Sequence, residues 1–305
     1  MEYIILDLEW DSIFYKPEKR FVNHILQIGA VKLNENLDVI DTFSETICSQ
    51  ITTKVSGRFA KLTGITSEKM RAGIPFVEAV ERYNEFCKNA EVTMTWSNSD
   101  LYTIIENQDL FLKKGPKFLI KGYLDLQKLV QGKLRENGYE NKNQISLEGA
   151  AELLDISTDN FDLHTALDDC KACALMLKAC YEKQKFDSMV KDTTLPDFYD
   201  RLRFKAYPIS DINDSNINRN ELKFTCPKCG SKTERMRPFK YRNRWFVADF
   251  KCTVCDFKFN GRVAFKKTYD DLQVKHKVCE YKSRKKKNND MQSVPKAVSV
   301  AENRE

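Results

Sequence analysis

The sequence lacks the features that would place it in a membrane or outside the cell. It has no run of 18 or more apolar residues, so no membrane-spanning helix is expected. Its N-terminus does not have the basic stretch, apolar core and cleavage site of a signal peptide. The ten cysteines are therefore expected to be core residues or metal ligands in a reducing, cytoplasmic compartment, rather than disulfides.

Charge is divided unevenly along the 305 residues. Residues 1–185 contain 23 Lys and Arg against 28 Asp and Glu, whereas residues 186–305 contain 27 against 16. The formal net charge of +6 therefore combines an acidic first part with a strongly basic second part. We expect the second part to meet a polyanion.

Strand and helix patterns alternate through the first 185 residues. Apolar runs typical of strands lie at 3–9, 25–33, 39–47, 92–96 and 118–126. Helical spacing follows Pro75, begins again at Asp100, and returns at 147–154 and 166–183. Strands first, and then strands alternating with helices, predict an α/β domain with a mixed sheet.

Asp7 and Glu9 end the first predicted strand. Because side chains alternate along a strand, both carboxylates must lie on one face. Two adjacent buried acids repel each other, and a divalent cation such as Mg²⁺ or Mn²⁺ would remove that cost. Taken alone, the pair is better explained as two exposed acids where the strand runs into a loop, and only the motifs further along the chain reverse that interpretation.

The predicted helix at 166–183 begins beside one of only three histidines, His164. Asp168 and Asp169 lie in its first turn, where the helix dipole favours acids. Cys170 and Cys173 share its apolar stripe, which predicts two core residues rather than a redox or metal pair. Taken alone, His164 is better explained as a structural or surface residue than as a functional one.

Together these motifs resemble the DEDDh family of DnaQ-like 3′–5′ exonucleases, which have an RNase H-like fold. The resemblance covers about residues 1–185 and is closest to the branch with eukaryotic histone-mRNA exonucleases and the bacterial sporulation inhibitor KapD. It rests on the following segments: Asp7-x-Glu9, Gln27 to Val31, Leu62 to Thr66, Asp100, and His164-x4-Asp169.

The resemblance implies a role for each acid and for the histidine. Asp7 would bridge two Mg²⁺ or Mn²⁺ ions, Glu9 and Asp169 would complete the site of the nucleophilic water, and Asp100 would hold the second ion. His164 would accept the proton of the attacking water, and a histidine suits a general base at neutral pH. The spacing selects Asp169 rather than Asp168.

Substrate contacts are less constrained. Family members commonly have a small hydroxyl residue soon after the Glu, whereas Trp10 follows Glu9 here. Trp10 either stacks on a base or packs in the core, and the sequence does not distinguish the two. By resemblance, the segment from Leu62 to Ile65 would contact the 3′-terminal base.

Two Cys-x-x-Cys pairs lie in the basic part of the chain. Cys226 and Cys229, followed by Cys252 and Cys255, have the spacing of one structural Zn²⁺ in a zinc ribbon. We expect an exonuclease domain at 1–185, a linker at 186–222, the ribbon at 223–267 and a basic, disordered tail at 268–305.

Basic and aromatic residues interleave between the two cysteine pairs. This pattern, which includes Arg242, Arg244 and Trp245, favours contact with single-stranded nucleic acid over a solvated basic hairpin.

The predicted function is a metal-dependent 3′–5′ exonuclease that hydrolyses single-stranded RNA or DNA to nucleoside 5′-monophosphates. RNA is favoured because of the branch resemblance and the ribbon. The rival hypothesis is a regulatory adaptor that binds nucleic acid or protein and in which nuclease activity is incidental. The complete set of four acids and His164 favours the enzyme.

Overall fold

A computed structural model describes residues 1–140 and 143–281 of the chain. The chain divides into two units, one from Met1 to Arg203 and the other from Phe204 onward. None of the helices in the described residues is long and apolar enough to cross a membrane. The tail beyond residue 281, predicted to be disordered, lies outside the described residues.

The first unit contains seven strands and nine α-helices within the described residues. The strands are β1 (Glu2–Tyr15), β2 (Arg20–Leu33), β3 (Val39–Cys48), β4 (Ile74–Pro75), β5 (Ala90–Thr95), β6 (Gly122–Asp125) and β7 (Lys191–Asp192). The helices are α1 (Gly57–Thr63), α2 (Ser67–Ala72), α3 (Phe76–Cys87), α4 (Ser99–Phe111), α5 (Leu126–Glu136), α6 (Leu147–Leu153), α7 (Ala166–Cys180), α8 (Lys183–Met189) and α9 (Phe198–Arg203).

All seven strands form one mixed sheet in the order β4-β3-β2-β1-β5-β6-β7. The first three strands pair antiparallel, whereas β5 and β6 continue the sheet in parallel from β1. This confirms the predicted α/β fold with a mixed sheet.

Alternating side chains of β1 contribute to two apolar clusters. Tyr3 and Ile5 pack in one cluster with residues of α5, α6, α7 and α8. Ile4 and Leu6 pack in the other with residues of α3 and α4. The central strand is therefore covered on both faces, as its continuous apolar run requires. Cys170 and Cys173 are buried in the first cluster, which agrees with their predicted core role.

Within residues 204–281, the second unit contains six strands that form a separate sheet. They are β8 (Tyr207–Pro208), β9 (Thr233–Arg235), β10 (Lys240–Arg242), β11 (Trp245–Cys252), β12 (Lys258–Lys267) and β13 (Leu272–Glu280). The order β10-β11-β12-β13 forms its main path, while β8 pairs with β12 and β9 with β11.

The second unit extends beyond the expected ribbon in both directions. Ile209 and Ile217, from the segment expected to be a linker, pack in its core with five phenylalanines. The strand β13 lies in the segment expected to be a tail. Likewise α8, β7 and α9 of the first unit lie within the expected linker at 186–222 or across its start. A ribbon of 45 residues buries little apolar surface by itself, so flanking segments complete its core.

Candidate active site

Three carboxylates converge on one face of β1. Asp7 and Glu9 continue the face that carries Tyr3 and Ile5, which is covered by α7. Asp169 lies in the first turn of α7. One carboxylate oxygen from each of Asp7, Glu9 and Asp169 lies within 4.8 Å of the other two. Residues far apart in sequence thus form one oxygen-rich cluster.

Gly29 allows α7 to approach the sheet at this point. It lies opposite Asp7 in the β1–β2 register. A Cβ atom on Gly29 would be 2.5 Å from the carbonyl carbon of Ala166, the first residue of α7. The thiol of Cys170 donates a hydrogen bond to the Gly29 carbonyl oxygen at 3.4 Å. The absence of a side chain at position 29 therefore helps to bring Asp169 next to Asp7.

Asp100 lies close to these three acids but is not a member of their cluster. It lies in the first turn of α4, is 3% exposed, and its Oδ1 atom has no hydrogen-bond partner among the described residues. Its negative charge contributes to the raised pKa values of Asp7 and Glu9. A buried carboxylate oxygen without a donor is costly, and a cation nearby would compensate for it.

Burial is the largest cause of the raised pKa values of all four acids, and the charges of neighbouring acids add to it. Burial, followed by the charges of the three neighbouring acids, raises the pKa of Asp7 well above its usual range. Burial and the charges of Asp169 and Asp100 raise the pKa of Glu9 to about 8. Burial raises the pKa of Asp100 to about 7, against the opposing effect of backbone N–H donors, and also raises that of Asp169.

A divalent cation would relieve the repulsion between these buried carboxylates. A cluster of carboxylate oxygens is the donor set that Mg²⁺ and Mn²⁺ prefer. A bound cation would favour the ionised form of each acid and lower these pKa values. The cluster is therefore compatible with a divalent metal site.

His164 is fixed through its backbone. Its φ angle is +78°, in the left-handed region that non-glycine residues rarely adopt. Its backbone N–H donates a hydrogen bond to Asp169 Oδ1 at 3.3 Å. Its side chain is 48% exposed, and Nε2 lies 3.8 Å from Glu148 Oε1. The imidazole is thus accessible to a ligand while the backbone is tied to the acid cluster.

Asp168 and Asp169 have different partners, although they are adjacent. Asp168 forms an ion pair with Lys171 at 2.7 Å and accepts a hydrogen bond from the backbone N–H of Asp162 at 3.0 Å. Asp169 instead lies in the acid cluster. The structure therefore brings Asp169, and not Asp168, next to Asp7 and Glu9.

The predicted substrate contacts have different environments. Trp10 is partly buried and packs against the second apolar cluster, next to an irregularity in the β1–β2 register. Leu62 is 51% exposed on α1. Ile65 is only 4% exposed and packs with Phe59. Leu62 therefore offers a surface to a ligand, whereas Ile65 supports the segment from within.

Asp11 was not singled out by the sequence reasoning. Its two carboxylate oxygens accept hydrogen bonds from the backbone N–H and the hydroxyl of Ser56, at 2.6 and 3.0 Å. The Ser56 hydroxyl in turn caps α1 by accepting from the N–H of Phe59. Asp11 thus anchors the helix that carries Leu62. It is the third acid at alternate positions after Asp7 and Glu9, a signal that could have identified it.

The four cysteines of the second unit also converge. One Sγ atom from each of Cys226, Cys229, Cys252 and Cys255 lies within 4.8 Å of the others. Three Sγ–Sγ distances are 3.4 to 3.6 Å. Tetrahedral zinc with Zn–S bonds of about 2.3 Å brings sulfur atoms to a similar separation. The cluster is compatible with Zn²⁺.

Backbone groups support this cysteine cluster. The N–H groups of Val254 and Cys255 point to Cys252 Sγ at 3.4 Å. Gly230, with φ +72°, closes the other turn by donating to the Cys226 carbonyl oxygen at 2.9 Å. The two N–H groups at Cys252 fix the position of its sulfur, whereas the Gly230 bond sets the geometry of the turn between Cys226 and Cys229.

The basic segment between the cysteine pairs forms a hairpin. Arg242 pairs with Trp245 across β10 and β11, and Asn243 and Arg244 form the connecting turn with positive φ angles. Arg242 and Trp245 line a concave surface of the sheet, whereas Arg244 is exposed in the turn and does not.

Comparisons with known proteins agree with the geometry of the first unit. The sequence pattern of RNase_T, described as an exonuclease, matches residues 4–177. The DNA polymerase III PolC-type of Clostridium perfringens is 25% identical over 219 residues, which are 69% of this chain and 13% of the polymerase. The same polymerase of Caldanaerobacter subterraneus is 28% identical over 183 residues, which are 60% of this chain and 12% of the polymerase. The chain spans only a small part of the length of these relatives.

Two solved structures share the fold. The nuclease domain of 3′hExo, a DEDDh family member bound to rAMP, aligns with a TM-score of 0.51 and 22% identity. The alignment covers 63% of this chain and 96% of that domain. A 3′-exonuclease described as recognising the histone mRNA stem-loop by its 3′ end also has a TM-score of 0.51, with 20% identity, and covers 63% of this chain and 84% of that protein.

Proposed function

The chain belongs to the RNase_T family of exonucleases, and on this basis we propose that it is a metal-dependent 3′–5′ exonuclease. Its substrate is single-stranded RNA or DNA, with RNA favoured, and its products are nucleoside 5′-monophosphates. The observation that carries the proposal is the convergence of Asp7, Glu9 and Asp169 within 4.8 Å, beside the buried Asp100.

Four acids would hold two Mg²⁺ or Mn²⁺ ions. Asp7 would contribute a ligand to both ions, Glu9 and Asp169 would hold the ion on the side of the attacking water, and Asp100 would hold the other. When bound, such ions activate water and stabilise the charge on phosphate and leaving oxygen. The raised pKa values of the acids support a cation at this site, because the ionised carboxylates need a compensating positive charge.

His164 accepts the proton of the attacking water. Its exposed imidazole is free to meet a substrate, while its backbone N–H fixes it beside Asp169. Glu148, 3.8 Å from Nε2, can orient the ring. A histidine in this position acts as a general base near neutral pH.

The preference for RNA rests on the sequence resemblance to histone-mRNA exonucleases. One structural neighbour is described as bound to rAMP, whereas the curated relatives are DNA polymerases.

Leu62 contacts the terminal base, because it is exposed on a helix that Asp11 and Ser56 anchor. Trp10 acts chiefly as a packing residue.

The second unit contributes a structural zinc site and contacts to nucleic acid. Four thiolates fill the coordination sphere of Zn²⁺, so the metal stabilises the fold and does no chemistry. The basic hairpin with Arg242, Arg244 and Trp245 attracts the phosphates of the substrate. The assignment to the branch with histone-mRNA exonucleases and KapD is part of the same proposal and rests on the motif resemblance of residues 1–185.

The experiment compares Asp169→Asn with Asp168→Asn. Purified chains are incubated with Mn²⁺ and with RNA or DNA oligonucleotides labelled at the 3′ or the 5′ end. The unaltered chain and Asp168→Asn should release labelled mononucleotide at once from 3′-labelled strands and shorten 5′-labelled strands progressively. Asp169→Asn should do neither, because it removes a metal ligand.

Full activity of Asp169→Asn would overturn the assignment of the site. Binding of the strands without hydrolysis by the unaltered chain would instead support the regulatory adaptor. The relative rates on the two nucleic acids determine the substrate. Circular dichroism of both variants establishes that each retains the fold.

A further inference from the structure

One face of the second sheet carries a row of positive charges. The register pairs Lys240 with Val247, Val247 with Arg262, and Arg262 with Lys277. These four residues therefore lie side by side across β10, β11, β12 and β13. Arg262 and Lys277 fall outside the basic and aromatic hairpin that the sequence indicated.

This face is not part of the core of the second unit. Burial alternates along β11 and β12, and the fully buried residues, such as Phe250 and Val263, lie on the opposite face. The residues on the charged face are only partly buried or exposed. Packing of the unit thus does not explain why cations occupy these positions.

A groove of about 620 Å³ runs over the charged face. Its lining includes five cations, Arg237, Lys240, Arg242, Arg262 and Lys277, against two acids, Asp249 and Glu280. Trp245 and Tyr281 add aromatic surface. The groove therefore has a net positive charge and offers rings on which bases can stack.

Asp249, one of the two acids, is hydrogen-bonded to the side-chain amide of Asn260. Its Oδ1 accepts a hydrogen bond from Asn260 Nδ2 at 3.0 Å, and Asn260 Oδ1 accepts one from Arg262 Nε at 3.0 Å. The amide thus holds the guanidinium in place without neutralising it. In the part of the chain that the structure describes, no carboxylate forms an ion pair with Lys240, Arg262 or Lys277.

The arrangement costs stability unless an anion binds. Like charges directly opposite each other on neighbouring strands repel, and Arg262 and Lys277 are such a pair. A bound polyanion would convert this repulsion into attraction. A flat aromatic side chain beside the cations favours unpaired bases, which can stack on it.

We propose that this basic face, lined by Arg237, Lys240, Arg242, Trp245, Arg262 and Lys277, binds single-stranded nucleic acid. Phosphates contact the row of Lys240, Arg262 and Lys277, and a base stacks on Trp245. The choice of a single strand rests on the proposed function, since this is the substrate class of the first unit.

The test measures binding of a labelled single strand, and of a duplex of the same length, to the full chain by fluorescence anisotropy. The Asp169→Asn background prevents cleavage of the probe. The variant K240Q/R262Q/K277Q should bind the single strand more weakly. The plot of log K against log salt should also be less steep by about 2, because each of the three lost phosphate contacts contributes about 0.7 to its slope.

The matched control is K205Q/R219Q/K223Q, which removes the same charges from positions outside the groove. Its affinity and salt dependence should remain close to those of the parent. Equal losses in both triple variants would show that net charge alone attracts the strand, and would overturn the proposal.

Trp245 tests the stacking part independently. Trp245→Ala should weaken single-strand binding by about 5- to 150-fold, and Trp245→Phe should restore most of it. Equal affinity for duplex and single strand, or no effect of Trp245→Ala, would contradict stacking. Failure of the exonuclease proposal would appear separately, as absence of cleavage by the unaltered chain.

Discussion

His164 and Asp169 are joined by a hydrogen bond from the backbone N–H of the first to Oδ1 of the second, at 3.3 Å. The bond spans the N-terminus of α7, where His164 adopts a left-handed backbone conformation. The proposed general base and a proposed metal ligand are thus positioned by a single local structure. A substitution at residue 164 can therefore lower the rate of catalysis while it relieves strain in the backbone.

We expect His164→Gly and His164→Ala to differ in stability but not in activity. Both remove the imidazole, so kcat should fall by about 10²- to 10⁴-fold. Glycine adopts φ +78° without strain, so His164→Gly should be more stable than His164→Ala by about 1 kcal/mol. Denaturant unfolding and single-turnover cleavage measure the two effects. Wild-type rates in both variants would exclude a catalytic role for His164.

We expect Gly29→Ala to destabilise the first unit and to reduce activity. The added methyl group would meet the Ala166 carbonyl carbon at 2.5 Å and force the start of α7 away from the sheet. The cost should be about 2 kcal/mol or more, with a loss of affinity for Mn²⁺, because Asp169 moves with the helix. Thermal unfolding and metal titration provide the readouts.

Gly57→Ala is the matched control for that substitution. Gly57 begins α1, and no atom lies within 4 Å of a Cβ built on it. Its replacement should leave activity unchanged and alter stability by no more than about 1 kcal/mol. If Gly29→Ala behaved in the same way, the close approach of α7 would not be required for the site.

We expect the protein without Mg²⁺ or Mn²⁺ to lose stability as the pH rises from about 5 to about 8. The folded-state pKa values of Glu9 and Asp100 are raised to about 8 and about 7, above their unfolded values near 4. The folded state then holds protons that the unfolded state releases, so stability is greatest below the unfolded pKa. The loss should be on the order of a few kcal/mol.

Added Mg²⁺ should reverse that trend, because metal binding requires ionised carboxylates and strengthens as the pH rises. Melting temperatures measured at several pH values, with and without Mg²⁺, test both statements. Glu9→Gln should flatten the profile of the metal-free chain, whereas Asp168→Asn should leave it unchanged. A metal-free chain that gains stability over this range would contradict the raised pKa values.

We expect the double variant C226S/C229S to lose one bound Zn²⁺ per chain, since two of four ligands are removed. Elemental analysis measures the metal, and proteolysis of the second unit should become faster, because zinc stabilises small domains. The control C48S/C279S removes two partly buried cysteines outside the cluster and should retain zinc. Retention of zinc by both variants would exclude the four-cysteine site.

The sequence predicted much of the first unit because its signals are local. Apolar runs predicted β2 and β3, and helical spacing predicted α3 and α7. Most of the predicted ends lie within a few residues of the observed ones. The predicted strand at 118–126 is shorter, since only Gly122–Asp125 pairs with β5. The helix α5, Leu126–Glu136, was not predicted, and its first apolar residue was assigned to that strand.

The limits of the second unit could not be obtained from spacing. The cysteine pattern identified the cluster, but β13 and the packing of Ile209 depend on contacts with distant strands. The same applies to the basic face, because Arg262 and Lys277 become neighbours only through strand register.

The sequence by itself determined the types of residue at the acid cluster and their order along the chain. It also determined that Asp7 and Glu9 share a face, because alternation along a strand is a local property. Only the tertiary structure decided that Asp169 joins them while Asp168 pairs with Lys171, and that Ile65 is buried while Leu62 is exposed. These outcomes depend on how α7 and α1 pack on the sheet, which is set by long-range contacts such as the one at Gly29.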